Sequence, residues 1–142
     1  MVELITVMVI IGILALVAMP RFFSRPGYEA RSSYDQTIAV LRYAQKSAIA
    51  QRRTVCVTFA PAGTPTSITL TIGATFGAAC TIGLTGPDGV SPYTLINQTF
   101  VGVPASFTFD PKGKASAVSA IQISPAAAVP VITVESETGY VH

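Results

Sequence analysis

Tryptophan is absent from the 142 residues, and histidine occurs once, as His142. With its one imidazole at the last position, the chain offers no Ser/His/Asp set for nucleophilic catalysis. Cysteine is limited to Cys56 and Cys80, too few for a four-ligand zinc site. Charge is scarce as well: 11% of residues are charged, against about a quarter in an ordinary soluble domain. No Gly-rich phosphate loop is present, and Gly12 stands alone in an apolar stretch. The acids Asp88, Asp110, Glu135 and Glu137 lack the spacing of a calcium loop. No enzyme activity, cofactor or metal is expected.

What is abundant is apolar residues, at 50%. They are unevenly spread, and many fall in the first twenty positions. The length suits one compact domain. The net charge of +2 says little, but seven of the nine basic residues lie between Arg21 and Arg53: Arg21, Arg25, Arg31, Arg42, Lys46, Arg52 and Arg53. A nucleic-acid surface would carry a denser basic stripe with interleaved aromatics, so this cluster reads as a solvated helix face.

From Leu4 to Met19 no residue is charged, and Thr6 is the one clearly polar side chain. As a helix this run spans roughly 24 Å; extended to Met1 and Phe23 it reaches across the ~30 Å hydrocarbon core of a bilayer. A cleaved signal peptide needs a basic start and a small-x-small cleavage site, whereas here Glu3 opens the run and Pro20-Arg21 closes it. A plain single-span anchor leaves Glu3 unexplained, because a carboxylate at the membrane edge is costly without water or a cation. A third reading gives Glu3 its partner in another chain. Arg21, Arg25 and Arg31 follow the span, which the positive-inside rule would place on the cytoplasmic side.

The run from Met1 through Glu3 and Gly12 to Ala15 resembles the N-terminus of type IV pilins and type II secretion pseudopilins. In that family a peptidase removes a leader, and the mature chain begins Phe-Thr-Leu or Phe-Thr-Met, then a hydrophobic residue, Glu and Leu. The match is complete if Phe-Thr precedes Met1. The resemblance implies that Glu3 neutralises the N-terminal ammonium of a neighbouring subunit, an attraction that is strong in low dielectric. It also implies that the stretch between Gly12 and Pro20 softens in the filament; a plain helix end at Pro20 is the alternative. The implied partners are other pilins through the N-terminal helix, a prepilin peptidase and the inner membrane. The implied place is a bacterial inner membrane with a periplasmic head, then a pilus or pseudopilus at the surface.

Residues 1–23 are therefore expected to form the anchor and filament core, and 24–142 an α+β head. Ser24-Arg25-Pro26-Gly27 breaks the first helix. Ala30, Tyr34, Ile38, Leu41, Gln45 and Ala48 then share one helical face, apolar apart from Gln45. This predicts a helix over 28–53 lying on a sheet, with Arg31 and Asp35 one turn apart as an ion pair. After Arg53 the period changes to two. Val55, Val57 and Phe59 alternate with polar neighbours, as do Ile68, Leu70 and Ile72, with a turn at 61–65 between. Further strands are expected at 106–110, 118–124 and 131–135, a loop at 83–92, a turn at 110–113 and a last edge at 139–141. Cys56 falls on the polar face of its strand. An even pair behind an export-type N-terminus suits one Cys56–Cys80 disulfide, closing a loop of about 25 residues worth roughly 3 kcal/mol; two free thiols are the alternative.

Residues 43–55, from Tyr43 to Val55, resemble the helix-to-strand junction of the H-type pseudopilin and competence minor pilin group. Phe109-Asp110-Pro111-Lys112-Gly113 and the segment 135–141 are most similar to a minor pilin of the mannose-sensitive haemagglutinin (MSHA) type. Three functions follow from the resemblance: an MSHA-like minor pilin, an H-type secretion pseudopilin, or a minor pilin whose head captures DNA or a surface. Competence minor pilins carry C-terminal arginines after a Gly. Here Gly139 is followed by Tyr140-Val141-His142, which disfavours DNA.

Overall fold

The computed structural model describes residues 2–23, 26–60, 66–95, 98–124, 127 and 129–142, with backbone alone for 17–23 and 26. Helix α1 covers Val2–Phe23 and α2 covers Pro26–Gln51. The seven strands are β1 (Val55–Phe59), β2 (Ser67–Gly73), β3 (Cys80–Gly83), β4 (Tyr93–Thr94), β5 (Phe107–Phe109), β6 (Ser119–Ile121) and β7 (Ile132–Val134). The fold is α+β, as expected.

Pro26 explains where α2 begins. The first helical position needs no amide donor, and proline's fixed φ suits it. The helix thus starts two residues before the expected Tyr28. It ends in a Schellman turn: the Arg53 amide donates to the Ala48 carbonyl at 3.1 Å and the Arg52 amide to Ile49 at 3.3 Å. That turn puts Arg52 at φ 52°, the left-handed position where glycine is usual.

The buried face of α2 is Ala30, Ser33, Thr37, Val40, Leu41, Ala44, Ser47 and Ala48. It is rotated from the expected stripe by about one residue. Tyr34, Ile38 and Tyr43 lie half-buried along its flanks. Small Ala, Ser and Thr side chains share this face with the fully buried Val40 and Leu41, while Tyr34, Ile38 and Tyr43 cover its edges. The Thr37 hydroxyl is satisfied within the helix by the Ser33 carbonyl at 2.7 Å. Arg31 and Asp35 form the expected pair, at 3.6 Å and well exposed, so it contributes little.

The main sheet has the order β3-β2-β1-β5, all antiparallel, with β4 pairing the start of β2. Val55, Val57 and Phe59 face the core and lie opposite Ile72, Leu70 and Ile68. The rings of Phe59, Phe100, Phe107 and Phe109 pack edge-on or tilted at 5.3–6.2 Å, and such pairs add about 0.5–1.5 kcal/mol beyond area burial. A second ladder joins β6 to β7, and Val141 bridges to Val134 on β7's other side. Strands β5, β6 and β7 fall inside the expected segments, and the Gly113 amide closes the turn onto the Asp110 carbonyl at 2.9 Å. The expected turn at 61–65 lies outside the described residues, as do Ser24 and Arg25 of the expected break.

Strands β3 and β4 were not legible in the sequence. β3 occupies the outer edge of β2 because the disulfide holds it there. Cys56 and Cys80 are bonded, with Cα atoms 6.1 Å apart. Gly73 on β2 pairs with Cys80. A Cβ at Gly73 would stand 2.6 Å from the Ala78 carbonyl oxygen, so the connecting loop lies directly on glycine backbone.

Candidate functional site

Every described side chain of α1, from Val2 to Leu16, is exposed. Val2, Leu4, Ile5, Met8, Ile11 and Leu14 stand 60–75% open, and the intervening aliphatic residues are comparable. The polar faces that mark a surface helix are missing, so this segment is apolar on every side. Contiguous exposed apolar area on this scale marks a surface that meets another protein or lipid. Glu3 sits in its first turn. Thr6, one turn on, donates to the Glu3 carbonyl at 2.8 Å, which leaves the carboxylate free of that hydroxyl.

Gly12 and Pro20 both lie inside α1, which continues to Phe23. A plain helix end at Pro20 is therefore not what the chain does. Gly12 has nothing within 4 Å of where a Cβ would be, so neighbouring atoms of this chain do not require its lack of a side chain. Among the described residues, no helix is long and apolar enough to cross a membrane.

The head carries a junction that brings three separated segments together. Gln45, the one polar residue of the expected apolar stripe, donates through Nε2 to the Gly113 carbonyl at 3.0 Å and the Thr138 carbonyl at 2.9 Å. Arg42 donates to the Val141 carbonyl through Nη2 at 2.9 Å and Nε at 3.3 Å. Asp110 Oδ1 accepts the amides of Lys112 and Lys114, both at 2.8 Å. Lys114 pairs with Glu137 at 2.8 Å in the open. Each shifts the other: the hydrogen bond and charge of Lys114 hold the Glu137 carboxyl below its ordinary value, and Glu137 raises Lys114. Residues from the segments 43–55, 109–113 and 135–141 thus meet at one place.

A groove of about 480 Å³ lies between α2 and the loop before β4. Gln36, Ala39 and Val40 line one wall, and Pro87, Val90 and Tyr93 line the other. The Tyr93 hydroxyl donates to Gln36 Oε1, which fixes the ring. Asp88 also lines the groove. Its Oδ1 accepts the Val90 amide at 3.2 Å, within a tight turn closed by the Gly86 amide on the Val90 carbonyl at 2.8 Å. Burial and, second to it, the Asp88 charge push the Tyr93 phenol above its usual range. The sequence marked Asp88 only as an acid without calcium-loop spacing, inside the expected loop at 83–92, and gave no signal for Tyr93. Sequence reasoning also missed Gln45, although its polarity on an apolar stripe marked it.

No protein-family model and no curated protein matches the chain. Two crystal forms of the Pseudomonas aeruginosa type IV minor pilin FimU are similar in structure. One superposes with a TM-score of 0.55 and 19% identity, covering 81% of this chain and 87% of that one. The other gives 0.51 and 18%, covering 79% and 90%. At this identity the likeness establishes the fold, and the fold is that of a type IV pilin.

Proposed function

We propose that this chain is a type IV pilin-like filament subunit, a minor pilin of the MSHA-like kind, and not an enzyme. The observation that carries the reading is α1: a helix exposed and apolar on every described side, opened by one carboxylate and joined to a head with the pilin fold. In this reading α1 lies in the inner membrane with the head in the periplasm, after a prepilin peptidase has processed the precursor. It then moves into a filament core made of the same helices from other pilins. Glu3 meets the N-terminal ammonium of a neighbour there, since an unpaired carboxylate in that layer is costly. Gly12 and Pro20 supply flexibility, Pro20 by removing one helical hydrogen bond at a cost of ~3 kcal/mol or more. Type II secretion pseudopilins would use the same surfaces.

DNA capture by the segment after Gly139 is disfavoured because Tyr140-Val141-His142 carries no arginine. Val141 is buried, bridges β7 and holds the Arg42 guanidinium through its carbonyl. The test is Glu3→Gln. The variant is expected in membranes at wild-type level and depleted from sheared filaments, with its disulfide and thermal unfolding unchanged. Equal entry into filaments would reduce Glu3 to an interfacial residue and remove the main support.

A further inference from the structure

The sheet edges of the head are treated unequally. Beyond β5, Ala115 bridges Phe109, and the Ser116 amide donates to the Thr108 carbonyl at 2.8 Å. Beyond β6, Phe100 bridges Ile123, and the Val101 amide donates to the Gln122 carbonyl at 2.8 Å. Beyond β7, Thr133 and His142 exchange both backbone bonds, at 2.7 and 3.0 Å. The remaining edge is β3, since β4 on the same side of β2 is only two residues long. Among the described residues, nothing pairs with the outer side of β3. An open edge is a row of unpaired amides and carbonyls, and proteins blunt such edges with lysine, proline or a covering segment. β3 is Cys80-Thr81-Ile82-Gly83, with neither charge nor proline.

The Leu84 amide donates to the Leu70 carbonyl at 2.9 Å, so it points into the sheet. Backbone groups alternate along an antiparallel strand, so those of Ile82 point inward too, and those of Thr81 and Gly83 point outward. Ile82 lies opposite the buried Ile72 and therefore on the core face, yet it is 46% exposed, with no strand beyond it to cover it. Phe76, in the turn that leads into β3, is 78% exposed. The disulfide to Cys56 fixes the start of this edge.

We propose that β3 is a docking edge for an extended, uncharged segment of an unlike protein, which adds to the main sheet as one more antiparallel strand. Thr81 and Gly83 supply the main-chain bonds. An apolar residue of the segment stands opposite Ile82 and completes the core face, and its neighbours on the outer face are polar. That alternation sets the register, because a slip of one residue would put a polar side chain against Ile82. The choice of an unlike chain over a second copy rests on the minor-subunit reading above; the edge itself does not.

The test uses the purified full chain in mild detergent and a synthetic probe, acetyl-Lys-Thr-Ile-Thr-Ile-Thr-Lys-amide, with its charges outside the paired region. With isoleucine on the core face, the threonine amides of the probe point at β3 and the isoleucine amides point away. The probe is expected to bind saturably and to slow hydrogen exchange at the Thr81 and Gly83 amides. N-methylation of its threonines is expected to weaken binding at least about tenfold, as loss of main-chain bonds does, whereas N-methylation of its isoleucines leaves binding unchanged. Ile82→Lys, which sets a charge on the core face at the edge, is expected to weaken binding likewise while thermal unfolding stays as in wild type. No protection at Thr81 and Gly83, equal binding of the two methylated probes, or Ile82→Lys binding like wild type would overturn the docking edge. Sedimentation that shows the chain pairing with itself, with the pairing lost in Ile82→Lys, would overturn the unlike partner in favour of a second copy. These readouts do not involve Glu3 or entry into sheared filaments, so their failure is distinct from failure of the filament reading.

Discussion

Replacing Gly139 with Ala probes the junction that ties the 137–141 segment to α2. Gly139 has φ +65°, and a Cβ there would stand 1.9 Å from the Gly113 carbonyl oxygen and 2.6 Å from Gln45 Nε2. Ordinary contact requires more than 3 Å, so the two turns must separate by over an ångström. That movement breaks the two hydrogen bonds from Gln45, worth about 1 kcal/mol each. The left-handed backbone adds about 1–2 kcal/mol for a residue with a Cβ. Restricting the unfolded chain returns about 0.4–1 kcal/mol. The expected net loss is about 3 kcal/mol. Gly77→Ala is the control: its φ is +74°, but nothing lies within 4 Å, so it should lose about 1 kcal/mol or less, from backbone strain alone. Urea unfolding of the full chain in detergent measures both as changes of midpoint at constant slope. Gln45→Ala combined with Gly139→Ala should cost little more than Gly139→Ala alone, because both remove the same bonds. If Gly139→Ala and Gly77→Ala fall within 1 kcal/mol of each other, or the double variant is additive, the junction is not what holds this segment.

Replacing Cys56 and Cys80 together with serine should lower head stability by about 3 kcal/mol, read by urea unfolding, with β3 the first segment to gain hydrogen exchange. Arg52→Gly should leave the head equally stable or more stable by up to about 1 kcal/mol, since relief of the left-handed strain is partly offset by glycine's greater unfolded freedom; a clear loss would contradict the Schellman assignment. In an NMR titration Glu137 should protonate below its ordinary 4.5, and Lys114→Ala should bring it back. The sign follows from a depressed folded-state value: whatever stability the pair contributes is present above the unfolded pKa and is lost as pH falls through the folded one. Both side chains are open to solvent, so that contribution is small and screened by salt.

The order of elements and the disulfide were legible because each rests on local pattern. Period two over Val55–Phe59 and Ser67–Ile72, breaker residues around them and an even cysteine pair carry that information without reference to distant residues. The rotation of α2 was not legible. Tyr34 and Ile38 weigh more in a hydrophobic pattern than Ser33 and Thr37, yet packing buries the two small residues and leaves the two large ones at the flanks. Strands β3 and β4 escaped for a different reason: they are four and two residues long, and pairing with β2 rather than composition makes them strands. The exposed apolar surface of α1 and Glu3 at its start could be read directly. The Asp88–Tyr93 groove could not, because Gln36 and Tyr93 are joined only by the tertiary fold.

The contacts of Arg42 and Gln45 with Val141 and Thr138 also set an order of events while the chain is being made. Their acceptors lie 99 and 93 positions further along the chain. Helix formation takes about a microsecond, whereas synthesis at roughly 5–20 residues per second needs about 5–20 s to deliver those carbonyls. During that interval α2 has time to form, but the side chains that will clasp the 138–141 segment have nothing to hold. The head closes on α2 only after residue 141 has emerged. By then the apolar segment at residues 2–16 has long been synthesised, so it is open to contact before the head it is joined to is complete.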